Sequence, residues 1–528
     1  MNKKIQIWLP LLFSITMIAG MFIGYKMRDN MPGKNFFFVD KARPLQEIMD
    51  LIENKYVDSV KIAALSDTAI TAILSKLDPH SVFIPSEELQ GVNDDIAGKF
   101  FGIGVEFNII DDTINVINVL PDGPGFKAGL KTGDKFIKVG DSAVAGVKIS
   151  NDKIRKLLRG DFNTQVIITA LSNGQLKPYK ITRGIIPVSS VDASYIIENG
   201  IGYIKLNKFS QVTYIEFMKA LEGLQKQGLK KLILDLRGNG GGVLDEATAI
   251  ADEFLDGDKL ITYTEGTHYA KKEYRCKRPG LFEQGELVVL ADEGTASASE
   301  ILIGALQDWD RATIIGRRTF GKGLVQEQFD LSDGSALRLT IARYFTPIGR
   351  SIQRPYINGG KAYYEEVTNR FHDGETRSAD SVKHDTTKMY KTKNGKVVYG
   401  GGGITPDVFI SIDTADYSMG MAKIYYKGLI GDYTYRYYLQ NKTQFDSYKT
   451  PADFGKNFMF TEADWNKFTT AAAKDSIILN NISAKEKADL VNRIQSSFAR
   501  QVWRSEGFYE ILNKQDKGVL KSLELLSK

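Results

Sequence analysis

The sequence predicts an α+β multidomain chain: helical regions at both ends, a small β domain, and a larger α/β core. Three observations predict it. The length of 528 residues corresponds to three or four domains at about 100–200 residues each. Residues 91–185 alternate short strand patterns with glycine turns, as a small β unit does. Residues 186–414 read strand, helix, strand, helix, the order of a layered α/β fold with a largely parallel sheet.

Composition narrows the class of function. Lys and Arg number 69 against 64 Asp and Glu, a net charge of +5. No basic block suggests a nucleic-acid arm, so no nucleic-acid partner is expected. Hydrophobic residues make up 43% and charged residues 25%, which excludes a mostly disordered chain, a collagen-like chain and a polytopic membrane protein. Cys276 is the only cysteine, so neither an intramolecular disulfide nor a cysteine-based metal cluster can form. None of the four histidines (His80, His268, His372, His384) sits in an HExxH pattern, so a zincin-type metal site is not expected. No cofactor is implied.

Residues 1–30 read as an N-terminal signal anchor. Lys3 and Lys4 precede an uncharged run from Ile5 to Tyr25, and Lys26 and Arg28 follow. The run, about 21 residues, is long enough to cross a hydrocarbon core of about 30 Å as a helix. The small residues around Ile18-Ala19-Gly20 make no clear A-x-A site, so an uncleaved anchor is favoured over a cleaved signal peptide. A buried soluble helix is the weakest reading, because the run is apolar on all faces. Positive charge on both flanks makes the orientation rule a modest vote. Export of the bulk of the chain is the default for such an anchor.

Residues 29–42 look like a tether within a helical N-terminal region, 31–90. There Leu45, Ile48, Met49 and Ile52 fall at helical spacing, as do Ala69, Ile70, Ile73 and Leu74, and Asp78-Pro79 ends the helix. In 91–185, Gly102-Ile103-Gly104-Val105 is a glycine loop running into a strand. Thr113 to Val119 alternates as a half-buried strand, Ile154, Leu157 and Leu158 mark an amphipathic helix, and Val166 to Ala170 closes the unit. In 186–414 the strands are 202–206, 231–236 and 287–290; the helices are 214–224, 246–255 and 299–309. Residues 357–400 read as a polar, irregular surface insert with a hairpin signal at Asn394-Gly395. From 415 to 528 the pattern is a helical, aromatic-rich extension.

Three elements of the α/β region carry chemistry. Asp235-Leu236-Arg237-Gly238-Asn239-Gly240-Gly241-Gly242 follows a buried strand and precedes a helix. Such a turn leaves backbone N–H groups free for an anion, although a plain turn has the same look. Its spacing fits neither nucleotide-binding glycine motif. Gly294 to Glu300 places serines at a second strand-to-helix junction, where a serine is an ordinary cap or an accessible nucleophile near a helix N-terminus. Thr319-Phe320-Gly321-Lys322-Gly323 holds a lysine between glycines: a solvated turn lysine, or, if buried enough to lose its proton near neutral pH, a base. A serine and a lysine together make a recognised variant of the catalytic triad.

The order of these motifs resembles the C-terminal processing peptidases (tail-specific proteases), serine peptidase family S41. The resemblance is carried by Asp235-Leu236-Arg237-x-Asn239-x-Gly241-Gly242, Ser297-Ala298-Ser299-Glu300, Thr319-Phe320-Gly321-Lys322-Gly323-x-Val325-Gln326 and Ala342-Arg343-Tyr344-Phe345-Thr346-Pro347-x-Gly349-Arg350-Ser351-Ile352. Gly403-Ile404-x-Pro406-Asp407 and Leu77-Asp78-Pro79-His80-Ser81 extend it. It covers about 43 to 414 and implies an S41 protease core of crotonase/ClpP-like α/β architecture at 186–414. The family pattern puts the nucleophile 25 residues before the lysine, which for Lys322 is Ser297, with Ser299 the rival by sequence. By the same match Lys322 is the general base and Gln326 orients it. The N–H groups of Ala298 and of either Gly241 or Gly242 form the oxyanion hole. Thr295 stands where the family often has serine, a conservative change. His80 is read as a structural hydrogen-bonder.

Residues 91–185 resemble a PDZ domain, a β-barrel-like unit, through Gly123-Pro124-x-x-x-Ala128-Gly129-Leu130-x-x-Gly133-Asp134. The resemblance implies that Gly102, Ile103, Gly104 and Val105 bind a peptide C-terminus, the peptide adding as a strand. The expectation is a membrane-anchored serine endopeptidase of the bacterial cell envelope. Its anchor lies in the inner membrane and its catalytic part in the periplasm. Its substrates are exported proteins or peptides with apolar C-termini, and a homodimer through the helical regions is a further expectation. The alternatives are a catalytically inactive PDZ adaptor and a CoA-type acyl enzyme, the latter hard to join to a PDZ domain and an anchor.

Overall fold

Consecutive apolar runs build the core sheet. In a computed structural model that describes residues 3–30, 44–412 and 418–528, the strands Ile201–Leu206, Lys231–Asp235, Leu287–Ala291 and Thr313–Gly316 pair in parallel. Val408–Phe409 extends them in parallel and Val191–Glu198 antiparallel, giving six strands. Sheets of this kind bury both faces, so their strands read as apolar runs. On one face Leu206, Leu232, Leu234, Val289 and Ile314 pack against the helices Thr213–Lys226, Leu244–Asp252 and Ala298–Asp308. On the other, Tyr203, Ile233, Val288, Leu290 and Ile315 pack against Val519 and Leu526 of the helix Lys517–Leu526. The alternate residues of each strand thus serve different layers.

Every residue of Ala298–Asp308 is buried. Beyond this helix lies a second sheet in which Ala336–Phe345 pairs antiparallel with Leu324–Asp330, Leu260–Gly266 and Val82–Ile84. Val82–Ile84 adds a short strand, after Asp78-Pro79, to the region read as helical at 31–90. Three residues are too short for a period to register, and Phe83 pairs opposite Leu337 in a register only the fold can supply.

Residues 357–400 are mostly exposed, as a surface insert should be, but they are not irregular throughout. They contain the helix Gly359–His372, on which Tyr363 and Arg370 are 2% and 3% exposed. Charges on its inner side pair with one another. Glu366 meets Arg318 (3.0 Å), Arg370 (3.1 Å) and Arg354, and Glu375 meets Arg318 (2.6 Å). The hairpin Met389–Lys391 with Val397–Tyr399 turns at Asn394-Gly395 as read.

The small β unit orders its strands Val105–Ile110, Thr113–Val119, Lys135–Val139, Gln165–Ser172 and Gln175–Thr182. The helix Asn151–Leu158 covers its core, which includes Ile114, Val116, Phe136, Ile154 and Ile168. Lys99–Gly102 pairs with Gly184–Pro187 where the chain enters and leaves. The helices of 418–528 share an aromatic core around Phe445, Phe454, Phe468 and Phe498.

The chain divides into two units, residues 1–73 and 74–528. The first holds the helices Lys3–Asn30 and Pro44–Lys55 and most of Ile62–Leu74. The tether read at 29–42 lies, beyond residue 30, outside the described residues, as does the 414/415 boundary. Among the described residues no helix is long and apolar enough to cross a membrane, so the expectation of an anchor at 1–30 has no support from the structure.

Candidate active site

The glycine turn leaves the strand Lys231–Asp235 for the helix Leu244–Asp252. Burial would raise the Asp235 carboxyl, but Arg237 and Lys205 beside it hold it well below the usual carboxylate range. Asn239, fully buried, stitches this turn to the serine turn. Its Nδ2 donates to the Leu206 carbonyl (3.2 Å) and its Oδ1 accepts from Gly241 N–H (2.9 Å). Its carbonyl accepts from Ala296 N–H (3.0 Å) and from Ser299 Oγ (3.0 Å). Gly241 has φ 92°, and a Cβ there would lie 2.6 Å from the Ala296 carbonyl oxygen and 2.8 Å from Ser297 Cβ. Only glycine lets this backbone lie against the serine.

Ser297 and its rival are separated by their surroundings. Ser299 is fully buried with its hydroxyl on Asn239; Ser297 is half-buried at the head of Ala298–Asp308. The Ser297 backbone sits at φ 56°, ψ −117°, a region that costs a non-glycine residue about 1–3 kcal/mol and is met at functional turns. Ala298, the first helical residue, is buried beside Gly241.

Glu300, without exposed surface, ties the serine turn to the lysine loop. Its Oε2 accepts from Ser297 N–H (2.9 Å) and Lys322 N–H (2.9 Å), its Oε1 from Gly321 N–H (2.7 Å) and the Thr319 hydroxyl. Burial pushes the carboxyl up, and these four donors pull against it. Fully buried Tyr344 directs its hydroxyl at the carbonyls of both Ser297 (3.1 Å) and Lys322.

Burial lowers the Lys322 ammonium from its usual range, and nearby Arg338 lowers it further. Lys322 Nζ donates to Gln326 Oε1 (2.9 Å), while Gln326 Nε2 donates to the His80 carbonyl. The carbonyl therefore fixes which end of the amide faces the lysine. The turn that presents it is rigid, because Asp78 accepts from His80 N–H (2.7 Å), Ser81 N–H (2.8 Å) and the Ser81 hydroxyl (2.5 Å). The His80 ring meets the Tyr363 hydroxyl at 3.0 Å, and burial, then Lys322, lowers its pKa to about 4. It is neutral near pH 7. The helix Gly359–His372 supports the lysine loop from behind, Arg370 donating to the Thr319 carbonyl (2.8 Å).

The structure thus gathers Ser297, Ala298, Gly241, Gly242, Lys322 and Gln326 around three turns. Gly102, Ile103, Gly104 and Val105 lie elsewhere, lining a cavity of about 550 Å³ that Ser297 and Lys322 do not line. Of the two glycines, Gly241 has its N–H occupied by Asn239 Oδ1 (2.9 Å), and it is Gly241 that lies against Ser297 while Gly242 lies against Phe209. Sequence reading missed the part played by Glu300, although Ser297-x-x-Glu300 carries the S-x-x-E capping spacing. The linking roles of Asn239 and Tyr344 have no local signal. Cys276 is buried and unpaired, its thiol pushed up to about 12 by burial and Asp252.

The model of peptidase family S41 matches residues 200–359, which include all three turns. Residues 421–504 match a family of unknown function (DUF8443). The chain is 36% identical over 313 residues to a carboxy-terminal-processing protease of Bartonella bacilliformis, covering 58% of this chain and 71% of that protein. It is 33% identical over 357 residues to a "Probable CtpA-like serine protease" of Staphylococcus aureus strain N315, covering 67% and 69%. Among solved structures, a photosystem II D1 C-terminal processing protease aligns with 70% of this chain and 87% of its own, at 27% identity and a TM-score of 0.36.

Proposed function

Because this chain belongs to peptidase family S41, the serine peptidases that include the carboxy-terminal-processing proteases, we propose that it cleaves proteins with a Ser297–Lys322 dyad after holding their C-terminal tails in its β unit. Neutral Lys322 takes the Ser297 hydroxyl proton as Oγ attacks the scissile carbonyl carbon. The N–H groups of Ala298 and of Gly241 or Gly242 stabilise the oxyanion. Lys322 returns the proton to the leaving amine, then deprotonates the water that hydrolyses the acyl-enzyme. The observation that carries this reading is the Glu300 carboxylate, which binds the Ser297 and Lys322 amides on one oxygen and so holds nucleophile and base in one frame.

In this reading residues 91–185 are a PDZ unit whose Gly102 to Val105 loop takes the tail's carboxylate, 186–414 the protease core and 415–528 a helical extension. The uncharged run from Ile5 to Tyr25 supports an inner-membrane anchor with the catalytic part in the periplasm. The test is to incubate the full chain in detergent with an unfolded protein ending in apolar residues, beside Ser297→Ala and Lys322→Ala, and to read fragments by mass spectrometry. Cleavage by the parent alone, with each variant at least about 1,000-fold slower, is expected. Tail binding without cleavage by the parent would replace this reading with an inactive adaptor.

A further inference from the structure

Val105–Ile110 is the edge strand of its sheet, with Thr113–Val119 its one neighbour there. Such an edge offers unpaired N–H and C=O groups to an added strand. At its start, the Ile103 carbonyl accepts from Gly125 N–H (2.7 Å) and the Gly104 carbonyl from Leu120 N–H (2.9 Å). In a trans peptide the following N–H points the opposite way, so the N–H groups of Gly104 and Val105 turn away from these partners, toward the 550 Å³ cavity they line.

The opposite wall of this cavity comes from another part of the chain. Gly431 and Thr434 belong to the helix Leu429–Gln440, and Ser497, Arg500 and Gln501 to Ala484–Leu512. Both helices are fastened to the β unit by contacts along Thr113–Val119 and its turn. Tyr435 Oη donates to the Val116 carbonyl (3.1 Å), Arg504 Nη2 to the Val119 carbonyl (3.2 Å), and Arg436 pairs with Asp111 (2.7 Å). Arg504 holds φ 55° at a kink, with Trp503, that divides Ala484–Leu512 into two helical segments, a strained geometry for a bulky residue that these contacts help to maintain. The wall is built in. It passes close to the strand: a Cβ on Gly431 would lie 4.0 Å from Asn108 Nδ2.

The charge in the cavity exceeds what a terminal carboxylate needs. Arg155 and Arg159 line it from the β unit and Arg500 from the helices, against Glu106 alone. Arg159 lies over the Phe100 ring (4.0 Å), Arg155 has the exposed Asp152 at 3.5 Å, and Asp192 acts on Arg500 from the core sheet. Ile103, Val105 and Leu158 supply an apolar floor.

We infer that the C-terminal helices form the second wall of a peptide clamp, and that this clamp selects tails with an apolar last residue and an acidic side chain in the residues just before it. The inference rests on the tail-capture reading above. It assigns a substrate-selecting role to residues 418–528, with Arg500 as the determinant they contribute.

The test measures fluorescence anisotropy of labelled decapeptides on the full-length Ser297→Ala chain in detergent, so that bound peptide stays intact. Two peptides share an apolar terminal residue and a free carboxylate, and carry either Glu or Lys at the third to fifth positions from the end. The Glu peptide is expected to bind about tenfold tighter, with the gap closing as salt rises. Arg500→Glu reverses the order. Arg155→Glu, on the opposite wall, also weakens the Glu peptide and guards against a folding defect in the helices. Equal affinity of the two peptides overturns the acidic selection and leaves tail capture standing. An unchanged preference in Arg500→Glu removes the helices from recognition. If no free-carboxylate peptide binds at all, tail capture itself fails, and this inference with it.

Discussion

A lysine that is to accept a proton must first be without one, and at Lys322 burial and Arg338 favour the neutral amine. Gln326 adds a neutral acceptor, so it orients Nζ without stabilising the ammonium as a carboxylate would. The rate should therefore rise with pH as Lys322 deprotonates, with a midpoint below the usual lysine value of about 10.4. Gln326→Glu keeps the size, loses the bond to the His80 carbonyl and places a negative charge beside the ammonium. That raises the lysine pKa and moves the ascending limb of kcat/KM about one to three pH units higher, cutting activity at neutral pH and leaving more of it at alkaline pH. A limb that stays in place would separate Gln326 from the base. At this scale the sequence was informative where a motif is local. The lysine between two glycines and the serine beside small residues both stand out. The choice between Ser297 and Ser299 needed the fold, because only the approach of Asn239, some 60 positions earlier in the chain, shows which hydroxyl is occupied.

The serine turn and the lysine loop are separate elements joined through Glu300. Its two oxygens face four donors and no acceptor. Glu300→Gln replaces one oxygen with an NH2 group, which opposes at least one backbone N–H with another donor. The expected result is a loss of about 2–4 kcal/mol, read as a lower thermal midpoint, together with a fall in kcat because Ser297 and Lys322 lose their shared frame. Thr319→Val is no mild control: the fully buried Thr319 hydroxyl also accepts from Ile404 N–H (2.7 Å), so the change leaves a buried amide unpaired as well and is expected to lower the midpoint too. Equal midpoints for Glu300→Gln and the parent would mean that the frame is held by other contacts. Long elements were legible: strands in one apolar run, such as Leu287–Ala291, and helices with a clear face, such as Thr213–Lys226. Val82–Ile84 was not, being too short for a period. Gly359–His372 was not either, because its inner face is polar: Arg370 is buried by donating to the Thr319 carbonyl (2.8 Å) and Tyr363 by meeting the His80 ring (3.0 Å), partners that only the fold supplies. The strand Gln175–Thr182 was overlooked although Asn173-Gly174, both at positive φ, spells a hairpin turn.

Across the whole molecule, the part hardest to interpret from sequence turns out to complete the core. A largely parallel sheet needs cover on both faces, and the β-α-β-α pattern supplies helices for one. The other is covered by Lys517–Leu526, which follows the sheet's last strand by more than a hundred residues, so no local pattern links the two. Asp516 fixes the docking. It accepts from Val519 N–H (2.9 Å) as the cap of that helix and pairs with Arg237 (2.9 Å) at the start of the glycine turn. The contact reaches from the C-terminal helix to the loop proposed to hold the oxyanion. Leu526 and Leu520 lie on the same helix but face differently, 3% and 46% exposed, and this gives an internally controlled test. Leu526→Ala leaves a cavity against the sheet and should cost about 2–5 kcal/mol. Leu520→Ala should stay within about 0.5 kcal/mol. In thermal unfolding followed by limited proteolysis, Leu526→Ala should lower the midpoint and expose cleavage sites in the core, with Leu520→Ala matching the parent. Because the glycine turn hangs on the same helix through Arg237, Leu526→Ala should also slow turnover at temperatures where the chain is still folded. If both variants behave alike, the helix is a passive appendage, and the second face of the sheet is protected by something else.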